Sequence, residues 1–296
     1  MIFRCVSLLL LGLGSFSNAL GGDAGHSEHS LSPEAPILFR VGPLPVSNSM
    51  VVMWAVAVLL ILVAKLATRR MSKVPEGLQN FVEWIVESVL GFLEAVVGRD
   101  LAVKTFWFFG SVFVFVLSAN WFGLLPGVGS IGWGVFDSHG AFRVVRPLLR
   151  GANADLNLTF AMAAVFFIAW VYWALKSNGV AGVLVHIFGP RGESKGVLKL
   201  LMVVVFLAVG VLEVISILFR PVSLSFRLYG NVFAGETMLE AMSSLVPSLA
   251  WLIPVPFYFM ELLVGFAQAL VFTLLTSVFT LLICDHGGDA HADGGH

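Results

Sequence analysis

Of the 296 residues, 58% are hydrophobic and only 12% are charged, and the mean hydropathy is +0.94. A soluble domain covers its surface with roughly a quarter charged residues, so the composition excludes an ordinary soluble enzyme, and a chain this apolar is not disordered. The 17 Lys and Arg nearly balance the 18 Asp and Glu, for a net charge of -1, which leaves no basic excess for nucleic-acid phosphates.

What remains is an all-α, polytopic membrane protein, and the chain divides accordingly. Arg4, the apolar run Val6–Leu13 and the small residues ending at Ser17-Asn18-Ala19 read as a secretory signal peptide over 1–19; an uncleaved apolar anchor is the alternative. Residues 20–43 form a polar tail with Gly, Pro and His, expected outside the cytoplasm. His26 and His29 read as part of a solvated tail rather than as metal ligands. Cys5 and Cys284 stand at opposite ends without a CxxC or Cys/His pattern, so neither a disulfide framework nor a zinc site is expected. No metal and no cofactor is called for.

Uncharged stretches mark the membrane spans of a domain covering 44–284. Val41–Ala64 contains the first, Thr105–Phe136 the second and Leu156–Leu175 the third. Each can cross a hydrocarbon core of about 30 Å at about 1.5 Å per residue. Between the first two, Pro75–Val97 places Leu78, Phe81, Val82, Ile85, Val89, Phe92, Leu93 and Val96 at helical spacing, with Glu76, Glu83, Glu87 and Glu94 elsewhere. That pattern predicts an amphipathic helix lying along the membrane surface or packed on a partner.

Lys and Arg set the expected orientation. Residues 65–104 carry six of them and 176–199 carry four, against three in 126–155. The richer segments belong in the cytoplasm and the N-terminus outside. Five crossings then put the Asp/His/Gly-rich tail 285–296 in the cytoplasm.

The last third differs. Leu200–Glu240 is apolar yet contains Glu213, Arg220, Arg227, Glu236 and Glu240. As one helix it would span about 60 Å, so it must tilt, bend or lie along another protein. Pro221 and Gly230 are the candidate bend points. Ser248–Cys284 forms the second arm of this hairpin, with Glu261 as its charge. On an uninterrupted helix, Glu213, Arg220, Arg227 and Asn231 share a face, Glu236 and Glu240 project from another, and Glu261 and Gln268 share a face of the last helix.

A charge at bilayer depth costs about 3 kcal/mol or more and usually has a task or a partner. In the structural alternative, Arg227 ties the two helices together through Glu213 or Glu261. Carboxylates flanked by Asn, Gln and Ser, however, have the chemistry of a proton path. A guanidinium cannot relay protons and acts as a fixed positive barrier. Relay groups on either side of a barrier suggest two half-paths.

The run Ser-Leu-Ser-Phe-Arg227-Leu-Tyr-Gly-Asn231-Val-Phe-Ala-Gly-Glu236 closely resembles the signature of subunit a of the F-type ATP synthase membrane sector. Glu213-Val-Ile-Ser, Arg220-Pro221-Val-Ser223 and Glu261-Leu-Leu-Val-Gly-Phe-Ala-Gln268 extend the resemblance, as do Ala119-Asn120-Trp-Phe-Gly-Leu-Leu-Pro126 and Ala154-Asp155-Leu-Asn157-Leu-Thr159. It covers residues 44 to 284. Gly123 departs from members with an acidic residue there, and Glu261 stands where others have His.

The resemblance implies the stator half of a rotary proton channel, working against a ring of c subunits that each carry one buried carboxylate. Protons would enter along Asn231, Glu236, Glu261 and Gln268 and leave near Glu213 and Ser223. Arg227 would keep the facing ring carboxylate ionised. Peripheral-stalk b subunits, the lipid bilayer and, indirectly, the F1 sector are the other implied partners, in a bacterial plasma membrane. ATP chemistry would reside in partner subunits, since no phosphate-binding Gly loop with Lys appears. A self-contained proton-coupled secondary transporter is the alternative, although no internal repeat is visible.

Overall fold

In lipid every backbone N–H and C=O must be satisfied within the segment itself, so long apolar stretches become helices. A computed structural model describes residues 36–285 except 42–43, 126–127, 129–130, 137–141, 189–196, 246–248 and 250–251. The expected signal peptide with Cys5, residues 20–35 of the N-terminal tail and residues 286–296 of the C-terminal one lie outside the described residues, whereas Ile37–Val41 of the expected polar tail is a strand.

Strands β1 (Ile37–Val41) and β2 (Leu44–Ser47) pair antiparallel and lead into helix α1 (Asn48–Ala67). Ser47 caps α1, its Oγ accepting from the Met50 N–H at 3.3 Å. Helices α2 (Leu78–Val97) and α3 (Arg99–Gly123) meet at Gly98. A second antiparallel hairpin, β3 (Gly132–Phe136) and β4 (Phe142–Pro147), and a 3-10 turn over Ala152–Ala154 lead to α4 (Leu156–Phe188). Two long helices close the fold: α5 (Val197–Leu245), 49 residues, and α6 (Val255–Asp285).

Among the described residues, five helical segments are long and apolar enough to cross a membrane: α1, α3, Leu156–Val180, Val205–Ser243 and Val255–Ile283. The all-α, five-span architecture thus agrees with the sequence reading, and α2 is the additional helix.

Several boundaries differ. The first uncharged stretch starts its helix only at Asn48, because Val41 and Leu44–Ser47 are taken up by the hairpin. The second helix stops at Gly123, and the distal part of the expected span, Gly132–Phe136, is a strand. Pro126 has no N–H for a helical ladder, and the neighbouring glycines favour no helix. The third helix runs past Lys176 and kinks at Gly179, whose φ of 66° and ψ of 172° suit glycine. Neither Pro221 nor Gly230 interrupts α5. At about 1.5 Å per residue the unbroken α5 exceeds the hydrocarbon thickness about twofold.

The core lies between α3, α4 and α6, where Phe109, Phe113, Phe166, Trp170 and Phe272 gather with Leu224 and Leu228 of α5. A smaller cluster joins Val52 and Val56 of α1 to Ala119 and Ala152. Trp170 Nε1 donates to the Phe279 carbonyl at 3.1 Å and Asn178 Nδ2 to that of Ile283 at 2.7 Å, tying α4 alongside α6. By contrast, only 11% of the apolar window of α5 is buried within the chain, so most of its surface is left for lipid or a partner.

Helix α2 shows two apolar exposures rather than one. Leu93 and Val97 pack into the core, while Phe81 and Trp84 stack on each other at the surface.

Candidate functional site

The site is built at a close approach of α5 and α6. Gly235 is buried against the Glu261 carboxyl group, and a Cβ at that position would overlap it. Glu261 itself is only 7% exposed, although it sits on an apolar helix with no cation within ion-pair distance among the described residues. Small residues at the crossing let a carboxyl group enter the space between two helices.

Around this crossing a cavity of about 10 Å³ is lined by Asn231 and Glu236 of α5 and by Glu261, Gly265 and Gln268 of α6; Asn120 and Gly123 of α3 close it. That volume is about one water molecule. Four of the seven site residues expected from sequence (Asn231, Glu236, Glu261 and Gln268) are therefore brought together by the fold.

Arg227 stands apart from them. It lies one turn before Asn231 on α5, is exposed, and among the described residues has no carboxylate within ion-pair distance. The structural alternative of a strut to Glu213 or Glu261 is overturned. Arg227 belongs to an exposed strip of α5 with Ser223, Phe226, Gly230 and Ala234. The Ser223 side chain, one turn away, shares that strip.

Glu213 lies on the other side of Arg227 along α5. Its Oε1 is 3.1 Å from Arg220 Nη2. Arg220 turns toward the bundle, with its Cζ 4.3 Å from the Phe279 ring centroid and 5.8 Å from that of Trp170. The expected single face of Glu213, Arg220, Arg227 and Asn231 is thus divided. Arg220 is held by Glu213 and two aromatic rings, Arg227 is open, and Asn231 opens on the cavity.

The fold also recruits residues that periodicity could not point to. Asn153 Nδ2 donates to Asn120 Oδ1 at 2.6 Å, and Asn120 Nδ2 donates to the Gly265 carbonyl at 2.9 Å. This chain links the turn before α4 to α3 and to the cavity wall on α6. Asp155 accepts from the Asn157 N–H at 2.9 Å, capping α4, and from Ser47 Oγ at 3.2 Å. Arg150 Nε lies 3.5 Å from Glu236 Oε2. In sequence, Asn120 and Asp155 appeared only as parts of motifs, and Arg150 only as one loop charge among three. No local spacing relates any of them to Glu236 or Gly265.

Gly123 has a steric role. A Cβ there would stand 3.0 Å from the Gly151 Cα, and Gly151 in turn abuts the Glu236 carboxylate. A side chain at 123 would press on the Gly151 backbone.

A sequence model of the family described as "ATP synthase A chain" matches residues 50–280. The chain belongs to the ATP synthase A chain family. All six helices among the described residues fall wholly or largely within that match, and every one of the expected site residues falls inside it. Among its relatives is a protein named ATP synthase subunit a from Gloeobacter violaceus, 32% identical over 256 residues, which cover 86% of this chain and 91% of that protein. A protein of the same name from Campylobacter curvus is 34% identical over 224 residues, 76% of this chain and 84% of that one. ATP synthase subunit a 2 from a Bradyrhizobium strain is 30% identical over 244 residues, 82% and 91% of the two chains. Together with the five apolar helices, membership of the ATP synthase A chain family makes this an integral membrane protein and a membrane-sector subunit, not a catalytic one.

Proposed function

We propose that this chain is the stator of a proton-driven rotary motor, offering two half-paths to a ring of c subunits and separating them with Arg227. One observation carries the reading: Arg227 is open on the outer surface of α5, one turn from a small cavity whose lining includes Asn231, Glu236, Glu261 and Gln268. A fixed cation facing out of the subunit has a task only if something anionic passes in front of it. A ring of buried carboxylates supplies that anion, and the small neighbours Ser223, Gly230 and Ala234 allow a close approach.

In this mechanism a proton from the outer side passes through the cavity by way of Glu236 and Glu261, with Asn231 and Gln268 holding connecting water. It then neutralises a ring carboxylate, which can rotate into lipid. After nearly a full turn it is released toward the cytoplasm along Ser223 and Glu213. Arg227 keeps the facing carboxylate ionised and, because a guanidinium cannot relay, prevents direct leakage. The driving force is about 2.3 kcal/mol per charge per 100 mV. Peripheral-stalk b subunits hold the stator, the F1 sector carries out ATP chemistry, and the N-terminus lies outside the cytoplasm. The cavity of about 10 Å³ has room for about one water molecule in a relay, and the family match over residues 50–280 disfavours the alternative of a self-contained proton-coupled secondary transporter.

The test is Arg227→Ala in the complete complex reconstituted in vesicles. The complex should assemble but make no ATP under an imposed proton gradient. Synthesis at the wild-type rate would refute the mechanism.

A further inference from the structure

Arg150 is the best-buried cation next to the proposed relay, and the half-path mechanism leaves it without a task. Its side chain is 6% exposed and that of its partner Glu236 is 16% exposed. Taking both charges out of water is expensive, and a structural tie of this kind is often replaceable by apolar packing. The geometry around the pair is specific. Arg150 Nε approaches Glu236 Oε2 at 3.5 Å. The Gly151 N–H donates to the same carboxylate. A Cβ on Gly151 would stand 2.5 Å from Oε1, so the absence of a side chain is what admits the carboxylate. The guanidinium Cζ lies 5.9 Å from the Phe233 ring centroid, one turn before Glu236, which restricts where the cation can sit.

The carboxylate is therefore gripped from the side of the turn before α4, by a cation beside Oε2 and by a backbone donor. It also lines the cavity shared with Glu261. The other charged or titratable groups around it are Glu261 from α6, Tyr229 on α5 and Asp155 at the start of α4.

We propose that Arg150 is a positioning residue for proton uptake: it orients the Glu236 carboxylate toward the cavity and favours release of its proton, so that a proton taken from the outer side is passed on rather than retained. This rests on the reading of Glu236 as a relay. A carboxylate that held its proton tightly would be an end station. A fixed guanidinium beside it favours the ionised form, and so favours release to Glu261 and onward.

The test uses the complete complex in vesicles, with ATP synthesis measured as the outer proton concentration is varied. In R150Q the half-saturating proton concentration should fall about tenfold or more, as expected when a nearby opposite charge is lost, and the maximal rate should fall too. R150K keeps the charge but not the planar fork; it should assemble, restore most of the maximal rate and show a smaller shift. On an E236Q background, R150Q should add little. An unshifted half-saturation in assembled R150Q would overturn the proposal. So would effects of R150Q and E236Q that multiply independently. If R150Q does not assemble, R150K decides, and an unshifted value there overturns the proposal. R227A, run in parallel, separates the two readings: coupled synthesis in R227A would remove the channel mechanism itself, whereas uncoupled R227A with unshifted Arg150 variants would remove only this inference.

Discussion

Arg220 and Glu213, two turns apart on α5, form an ion pair at 3.1 Å, and the same guanidinium lies against the faces of Phe279 and Trp170. One cation thus joins α5 to both α6 and α4. Its neighbour at the next heptad position, Arg227, has no ion-pair partner among the described residues. The two arginines look equivalent in sequence, but one is a tie and the other is left available.

The Arg220 tie should be measurable as coupling. Arg220→Gln and Glu213→Gln should each lower the thermal midpoint of the purified complex, and the double variant should lose less than the sum. The coupling should be about 1 kcal/mol, modest because Glu213 is half exposed. Fully additive losses would mean that the pair contributes nothing.

Asn120 links three elements through both ends of its amide. Asn120→Ala leaves the Gly265 carbonyl and the Asn153 amide without their partner at a buried site, at a cost of about 2–4 kcal/mol. Asn120→Asp keeps the acceptor for Asn153 but loses the donor to Gly265, so it should fall between wild type and alanine in thermal stability. An alanine variant as stable as wild type would contradict the network.

Gly235→Ala should disrupt the α5–α6 crossing, because its methyl group meets the Glu261 carboxyl. Proton-driven ATP synthesis should fall at least about tenfold as Glu261 is displaced, following the sensitivity of such transfers to small misplacements. Gly91→Ala is the matching control on α2, where nothing lies within 4 Å of the new atom. It should leave synthesis unchanged and stabilise its helix by up to about 1 kcal/mol.

At Gly179 the kink of α4 depends on a backbone conformation that side chains disfavour. Gly179→Ala should cost about 1–3 kcal/mol of stability, read as a lower thermal midpoint. An unchanged midpoint would mean that the helix straightens without penalty.

The spans were legible in the sequence because a 20-residue uncharged stretch has few other solutions in lipid. Their ends were less so. Val41, Leu44–Ser47 and Gly132–Phe136 are apolar enough to extend a span, yet they lie in paired strands, and pairing depends on a partner strand that hydropathy does not register. The site was divided in the same way. Glu236 and Glu261 stood out because charges in apolar helices are costly. Asn120, Asn153 and Arg150 did not, because they come from a helix end and a polar turn where such residues are ordinary.

The sequence by itself determined the class, the number of crossings, the family and the two helices that carry the polar residues, since each follows from local composition or a contiguous motif. Only the tertiary structure decided which charges meet. It paired Arg220 with Glu213, brought Arg150 across more than eighty positions to Glu236, and left Arg227 open on the surface of α5. Electrostatic partnership falls off over a few ångströms, and distances on that scale between remote residues exist only once the helices have packed.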